Sequence, residues 1–218
     1  MTALFVTGSG TEIGKTYVTE MLIRRYRAEG QGVRALKPVI SGFDPDNASD
    51  SDTGRLLAAL GRAMTPAEIE AISPWRFAAP LSPDMAAARE GRAVPFDEIV
   101  GFCRRAIAAA GAAREVLLIE GVGGVMVPLD DRRTVLDLIA ALGTPALVVG
   151  GSYLGALSHT LTAVAVLRQR GVRIERIAVS ETPGSAVPLD ETRATLARFV
   201  APIPVETVPF SPAPSPSG

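Results

Sequence analysis

Lys15 and Thr16 close the run GSGTEIGKT, residues 8–16, which follows a short apolar stretch and opens a helical pattern. Glycine-rich backbone at the start of a helix turns N–H groups and a positive dipole end toward an anion. A Lys-Thr pair placed there reaches the β- and γ-phosphates of a triphosphate and a Mg²⁺ ion. Ser9 stands where the common pattern has its earlier glycine, and Gly8 lies one residue further back. The metal needs carboxylates from other segments. VLLIE ends in Glu120 and runs into Gly121, Val122, Gly123 and Gly124, whose glycines leave room for a nucleotide. Taken alone, Glu120 is equally a solvated strand exit. DPDNASDSD, residues 44–52, offers more carboxylates or a solvated surface loop. Lys37, in LKPVISG, leaves a strand beside Pro38. It either neutralises a transferring phosphoryl group or snorkels at a strand end. His159, the one histidine, sits near the start of an apolar helix, where packing or capping is its ordinary role.

These groups need a scaffold that brings strand ends together. Residues 4–7, 33–36, 116–120, 146–149 and 176–180 read as strands, several of them apolar on both sides of the alternation. That is the pattern of parallel strands covered on both faces. Residues 15–29, 97–110, 134–142, 158–170 and 190–199 read as helices, with Gly30, Gly111, Gly143 and Gly171 placed to end four of them. The alternation predicts a doubly wound α/β domain with a mostly parallel sheet and helices on both faces, and ligands at the carboxyl ends of its strands. The expected domain is residues 1–210. From Ser211 the chain reads SPAPSPSG, without apolar periodicity, and is expected to be disordered.

Composition narrows the function. The 218 residues carry 22 Lys and Arg against 23 Asp and Glu, a net charge of −1, so no basic field exists to bind a nucleic acid by its phosphates. A single cysteine, Cys103, excludes an intrachain disulfide or a cysteine-rich zinc site and suits a reducing, cytoplasmic setting. No Lys or Arg precedes the apolar run at the amino terminus, so it does not read as a signal peptide. Residues 138–167 lack Asp, Glu, Lys and Arg, but Gly143-Thr144-Pro145 and Gly150-Gly151-Ser152 cut them into globular lengths rather than a membrane span.

Taken in order, GTEIGKT, LKPVISG, SDTGRLL, SPWRFAAPLSP, IEGVGG and SYLGALSHT resemble the dethiobiotin synthetase family, from Leu4 to about Phe210. The resemblance implies a P-loop NTPase-like domain and a homodimer. The family's activity is to close a cyclic urea on 7,8-diaminononanoate with CO₂, ATP and Mg²⁺. An amine captures CO₂ as a carbamate, the carbamate attacks the γ-phosphate, and the second amine closes the ring on the resulting carbamic-phosphoric anhydride. By the family match, Glu12, Ile13, Gly14, Lys15, Thr16 and Tyr17 hold the phosphates, while Thr16, Asp52 and Glu120 hold Mg²⁺. Lys15 and Lys37 flank the reacting groups, Thr11 meets the substrate or the phosphate it receives, and Ser41 binds near the diamine. Gly121, Val122 and Gly123 line the nucleotide. Leu154, Gly155, Ala156, Leu157 and Ser158 match the helix start that receives the substrate carboxylate from the neighbouring subunit, so each active site would lie at the dimer interface.

The chain departs from the family pattern at four places. Gly10 replaces an acidic or amide residue, Asp84 stands where a His is common, and Ser180-Glu181 replaces an Asn-Asp that reads adenine. The carboxyl end is short, leaving Pro209, Phe210 and Ser211 to lie against the base. Two other P-loop classes fit less well. A cobalamin-type amidotransferase ligase needs a further glutaminase domain with a catalytic cysteine. A switch ATPase carries a second Lys near the start of the loop, which Gly8-Ser9-Gly10 lacks. A non-catalytic nucleotide sensor is the remaining alternative.

Overall fold

The computed structural model describes residues 3–211. All but the first residue of the expected carboxyl-terminal tail lies outside them. In chain order the elements are β1 (Ala3–Gly8), α1 (Lys15–Ala28), β2 (Val33–Leu36), β3 (Val39–Ser41), a 3₁₀ turn (Pro45–Asp50), α2 (Asp52–Leu60), α3 (Pro66–Ile72), β4 (Trp75–Phe77), α4 (Pro83–Arg89) and α5 (Phe96–Ala113). Then follow β5 (Val116–Glu120), α6 (Val135–Leu142), β6 (Ala146–Gly151), α7 (Ala156–Gln169), β7 (Ile174–Ser180), α8 (Leu189–Val200) and β8 (Val205–Val208). Six strands form one sheet in the order β2-β5-β1-β6-β7-β8, with every neighbouring pair parallel. β3 and β4 pair separately.

The both-sided apolarity of the strands has the expected cause. Phe5, Leu117, Ile119 and Val148 pack with Ile99, Cys103, Ile139 and Leu167 of α5, α6 and α7 on one face. Their strand neighbours Leu4, Val6, Leu118 and Leu147 pack with Val18, Leu22 and Leu56 of α1 and α2 on the other. A parallel sheet buried on both faces keeps its backbone polar groups paired while each strand hides two apolar sides. The uncharged stretch 138–167 is divided among α6, β6 and α7, and no helix among the described residues is long and apolar enough to cross a membrane.

The structure corrects some sequence-based boundaries. Gly30, Gly143 and Gly171 do take left-handed φ values just past their helices, but Gly111 does not end α5. Two alanines after it extend the helix, and Arg114 at φ 57° takes the left-handed position, its N–H bonded to the carbonyls of Ala110 and Gly111. α7 begins at Ala156, ahead of the expected Ser158. The sequence reading missed β3, β4, β8, α2, α3 and α4. The first two are only three residues long, and β8 stands among prolines, where alternation has no room to repeat.

Candidate active site

The sheet register alone brings the two most informative side chains together. Leu36 pairs with Ile119 and Val6 with Glu120, so Lys37, the next residue after β2, is level with the last residue of β5. Side chains alternate along strands, and Ala35 and Leu118 face α1; two residues on, Lys37 and Glu120 face the same way. Lys37 Nζ lies 2.7 Å from Glu120 Oε1 and 2.7 Å from Asp52 Oδ2, and it donates to the carbonyl of Gly121 at 3.1 Å. Asp52 comes from the first turn of α2, which Ser51 caps by accepting from Gly54 N. Of the acidic run 44–52, only Asp52 enters the site; Asp44 instead caps the 3₁₀ turn.

Across from this pair lies the loop between β1 and α1. Gly14 ends it at φ 90°, and a Cβ there would overlap Ser180 Oγ, so only glycine fits. Glu12, at φ 57°, is a non-glycine residue in the left-handed region, the kind of local strain that persists where surrounding structure imposes it. A Cβ on Gly124 would lie 3.3 Å from Gly10 Cα, so the glycines after β5 let that turn lie against the loop. No side chain caps α1, and no acid sits in its first turn, so its amino-terminal N–H groups have no side-chain acceptor.

The electrostatics are those of a charge-balanced cluster, buried except at Asp52. Lys15 and Lys37 are both buried, facing the carboxylates of Asp52 and Glu120. Burial, then the neighbouring Lys37, lowers the Lys15 pKa to about 8, with Glu120 and Asp52 offsetting part of the drop. Lys15 Nζ donates to the Gly10 carbonyl at 2.7 Å. Burial also pulls on Lys37, but Glu120 and Asp52 outweigh it and hold that pKa above the ordinary lysine value. Burial pushes the Asp52 carboxyl up, while Lys37 first and Thr16 next bring it below the usual carboxylate range.

Thr16 Oγ1 lies 2.6 Å from Asp52 Oδ1 and 2.8 Å from Glu120 Oε1. One hydroxyl proton cannot serve both acceptors, and the other oxygen of Glu120 is buried without a partner. An oxygen set with more lone pairs than protons suits a hard cation. No group of three or more His, Cys, Asp or Glu gathers among the described residues. Mg²⁺ needs no such cage, because it keeps waters and takes substrate phosphate oxygens beside one or two carboxylates.

These groups line one cleft of about 890 Å³. Its walls include Thr11, Glu12, Ile13, Gly14, Lys15, Thr16 and Tyr17 from the loop and α1, with Lys37, Ser41, Asp52, Val122 and Gly123. Ser41 Oγ is buried without a partner. Glu120 and Gly121 lie beneath the surface, Glu120 in contact with the lining residues Thr16 and Lys37 and the Gly121 carbonyl with Lys37. At the far end stand Ser180, Glu181 and Phe210, with Pro209 and Ser211 bonded to the Tyr17 hydroxyl. Leu154, Gly155, Ala156, Leu157 and Ser158 do not line this cleft. They form the start of α7, where Gly155 at φ 97° again leaves the helix without a side-chain cap, and Leu154 is 92% exposed. His159 is exposed and bonds the Tyr153 hydroxyl at 2.9 Å. Asp84 lies in the first turn of α4, just past the lining residues Leu81, Ser82 and Pro83. Sequence reasoning missed Arg55 and Pro80 as lining residues; Thr182 and Pro183 also line the cleft. Arg55 follows Asp52 by about one helical turn and pairs with Glu20 of α1 at 2.5 Å, a spacing that becomes readable once α2 is placed.

A family model described as an AAA domain matches residues 2–209. The ATP-dependent dethiobiotin synthetase BioD of Acidiphilium cryptum is 49% identical over 205 residues, covering 94% of this chain and 91% of the relative. That of Methylobacterium nodulans is 52% identical over 202 residues, covering 91% and 89%. The chain belongs to the dethiobiotin synthetase family. Its fold is also that of more distant proteins. The MinC:MinD cell division protein complex of Aquifex aeolicus aligns with a TM-score of 0.56 at 12% identity, over 97% of this chain and 82% of that one. Within the family frame, the motifs quoted from the sequence fall around a single cleft, except SYLGALSHT, which lies at the start of α7.

Proposed function

We propose that this protein is an ATP-dependent dethiobiotin synthetase that closes the cyclic urea on 7,8-diaminononanoate with CO₂, releasing ADP and phosphate. One observation carries the reading beyond family membership: a buried, charged Lys37 is held by two carboxylates beside the phosphate loop, with the unpartnered Ser41 hydroxyl on the same cleft. One amine of the diamine adds to CO₂ and loses a proton, giving a carbamate. A carbamate oxygen bonds to the γ-phosphorus as the bond to ADP breaks. The second amine then bonds to the carbamate carbon, phosphate leaves with the C–O bond electrons, and the ring closes.

A carbamate is a weak nucleophile, so the protein's part is positioning and charge. Lys37, kept protonated by Glu120 and Asp52, is a fixed cation beside the transferring group rather than a base. Lys15 supplies a second cation from the loop, and Thr11 donates to the group being transferred. Thr16, Asp52 and Glu120 are the donors for Mg²⁺, which neutralises charge on the β- and γ-phosphates when bound. Residues 12–17 and 121–123 carry the phosphates and sugar, and Ser41 meets the diamine.

The start of α7 serves a second copy of the chain. Its N–H groups at Gly155, Leu157 and Ser158, with that of Ala156 turned to the carbonyl of Tyr153 at 2.9 Å, suit the distant carboxylate of the diamine, and they lie away from this chain's own cleft. A homodimer with shared sites follows, and the lone, buried Cys103 suits a cytoplasmic enzyme. The test is phosphate release with ATP, Mg²⁺, the diamine and bicarbonate, each omitted in turn. Release is expected only in the complete mixture, and full turnover without the diamine would overturn the reading.

A further inference from the structure

The residue after β7, Glu181, belongs to the pair that stands at the family's adenine-reading position. In the structure, Glu181 is committed elsewhere. Its Oε2 accepts from Phe210 N at 2.9 Å, and its own N–H donates to the carbonyl of Val208 at 2.9 Å, one step past the last register pair of β7 and β8. The next side chain to hold this segment is Tyr17, from the first turn of α1. Its hydroxyl donates to the carbonyl of Pro209 and accepts from Ser211 N, both at 3.2 Å. One O–H satisfies both roles, because it carries one proton and free lone pairs. Residues 209–211 are thereby a strap at the edge of the cleft, tied to α1 and to the residue after β7. Phe210 lies on the cleft, 47% exposed, with its ring 6.3 Å from that of Tyr17.

We propose that Glu181 and Tyr17 are positioning residues that pin this strap, so that Phe210 and Tyr17 cover the planar end of a bound nucleotide and set how long it stays. The assignment rests on the reading of the cleft as a nucleotide site and refines it. An aromatic ring offers a π face to any base, so the strap contributes affinity without selecting among bases. Glu181 acts through Phe210 and not on the base itself. This differs from a reading role, in which a carboxylate accepting from an exocyclic amine would favour bases that carry one.

Two measurements test it. Dissociation constants and dissociation rates for ATP, GTP and CTP, taken with Mg²⁺ and without diamine or bicarbonate, are independent of whether ring closure is the reaction. Glu181→Ala is expected to raise all three dissociation constants by one common factor, about tenfold, through faster release. Glu181→Gln, which keeps an acceptor, should restore most of the loss, and Phe210→Ala should reproduce it with Glu181 intact. Amide hydrogen exchange on the nucleotide-free protein supplies the second readout. Glu181→Ala should speed exchange at Phe210, and Tyr17→Phe at Ser211. A loss confined to one base would make Glu181 a base reader and overturn the proposal. Unchanged dissociation constants, or unchanged exchange at both amides, would overturn it equally.

Discussion

The two ends of the cleft are built by opposite means. At the phosphate end, Lys37 and Glu120 come from adjacent parallel strands, their position set by hydrogen-bond register, and Glu120 is fully buried. At the base end, the contacts come from Tyr17, Glu181 and the last described residues, held by hydrogen bonds between exposed groups. On the proposed function, a charge that has to stay fixed during phosphoryl transfer is placed where moving it would unpair a sheet. The strap proposed to cover the nucleotide is placed where opening it costs a few solvent-exposed hydrogen bonds. The four charges of the first region, Lys15, Lys37 and Glu120 buried and Asp52 partly exposed, also depend on one another in a way the second region does not.

The largest effects should therefore follow from the phosphate end. Lys37→Ala and Lys15→Ala are each expected to lower kcat by about a hundredfold or more while nucleotide binding changes much less, since these charges count most as charge develops in transfer. Steady-state and binding measurements on the same variants separate the two. Lys37→Ala also leaves the Glu120 carboxylate buried without its cation, a change of the type that costs about 3–5 kcal/mol of stability. Urea unfolding should show it. Near-normal kcat in Lys37→Ala would make Lys37 a strand-end residue and dissolve the contrast between the two ends.

Glu120→Gln keeps the shape and removes one charge. The Mg²⁺ concentration for half-maximal activity should rise by at least about tenfold. Direct titration of Mn²⁺ by its electron paramagnetic resonance signal should give the same shift without turnover. The equivalent change at the other end, Glu181→Gln, should leave Mn²⁺ binding where it was.

Lys15 gives the phosphate end a pH signature. Burial and Lys37 lower its pKa to about 8 from 10.5 in the unfolded chain, so between those values the folded state holds fewer protons than the unfolded one. Stability of the nucleotide-free protein should rise across that window, by up to about 3 kcal/mol, and Lys15→Met should abolish the rise. A bound triphosphate favours the charged lysine and raises its pKa. Binding at pH 8.5 should then take up protons, and affinity should fall as pH climbs above 8. Calorimetry in two buffers of different ionisation enthalpy measures the uptake, and none would mean that Lys15 does not meet the phosphates.

What could be read from sequence follows the same division. Gly14, Lys15, Thr16, Lys37 and Glu120 lie in or beside regular elements whose periodicity is strong, so their residue types and positions in the chain sufficed to place them on one sheet edge. Asp52 was harder. Its run of acids gave no reason to prefer one over another, and only α2, with its Ser51 cap, singles it out. Arg55 was invisible for the same reason. The base end carried little local pattern: β8 is short and stands among prolines, and the pairing of Glu181 with Phe210 spans 29 residues that no periodicity links. Family resemblance placed these residues near a base but gave no sign of the bond between the Glu181 carboxylate and Phe210 N.

The smallest expected effect concerns Ser180, and it tests whether the base end selects at all. An Asn at this position could donate and accept together toward a base edge, a type of contact worth roughly 1–3 kcal/mol of discrimination where it is calibrated on nucleic acids. Ser180 has one short hydroxyl, is only 6% exposed, and packs its oxygen against Gly14. Its neighbour Glu181 is bonded to the strap. With these commitments, neither side chain is expected to separate adenine from other bases, and the proposed aromatic cover would not distinguish them either. Ser180→Ala should accordingly change the dissociation constants of ATP, GTP and CTP by less than about threefold and alike. The kcat/KM values of the unaltered enzyme for the three should fall within about a hundredfold of one another, the span that a single two-point contact could account for. A larger preference for ATP that survives Ser180→Ala would locate base selection in the backbone of residues 180–183 or 209–211, and the base end would then be as specified as the phosphate end, through groups whose identity no side chain records.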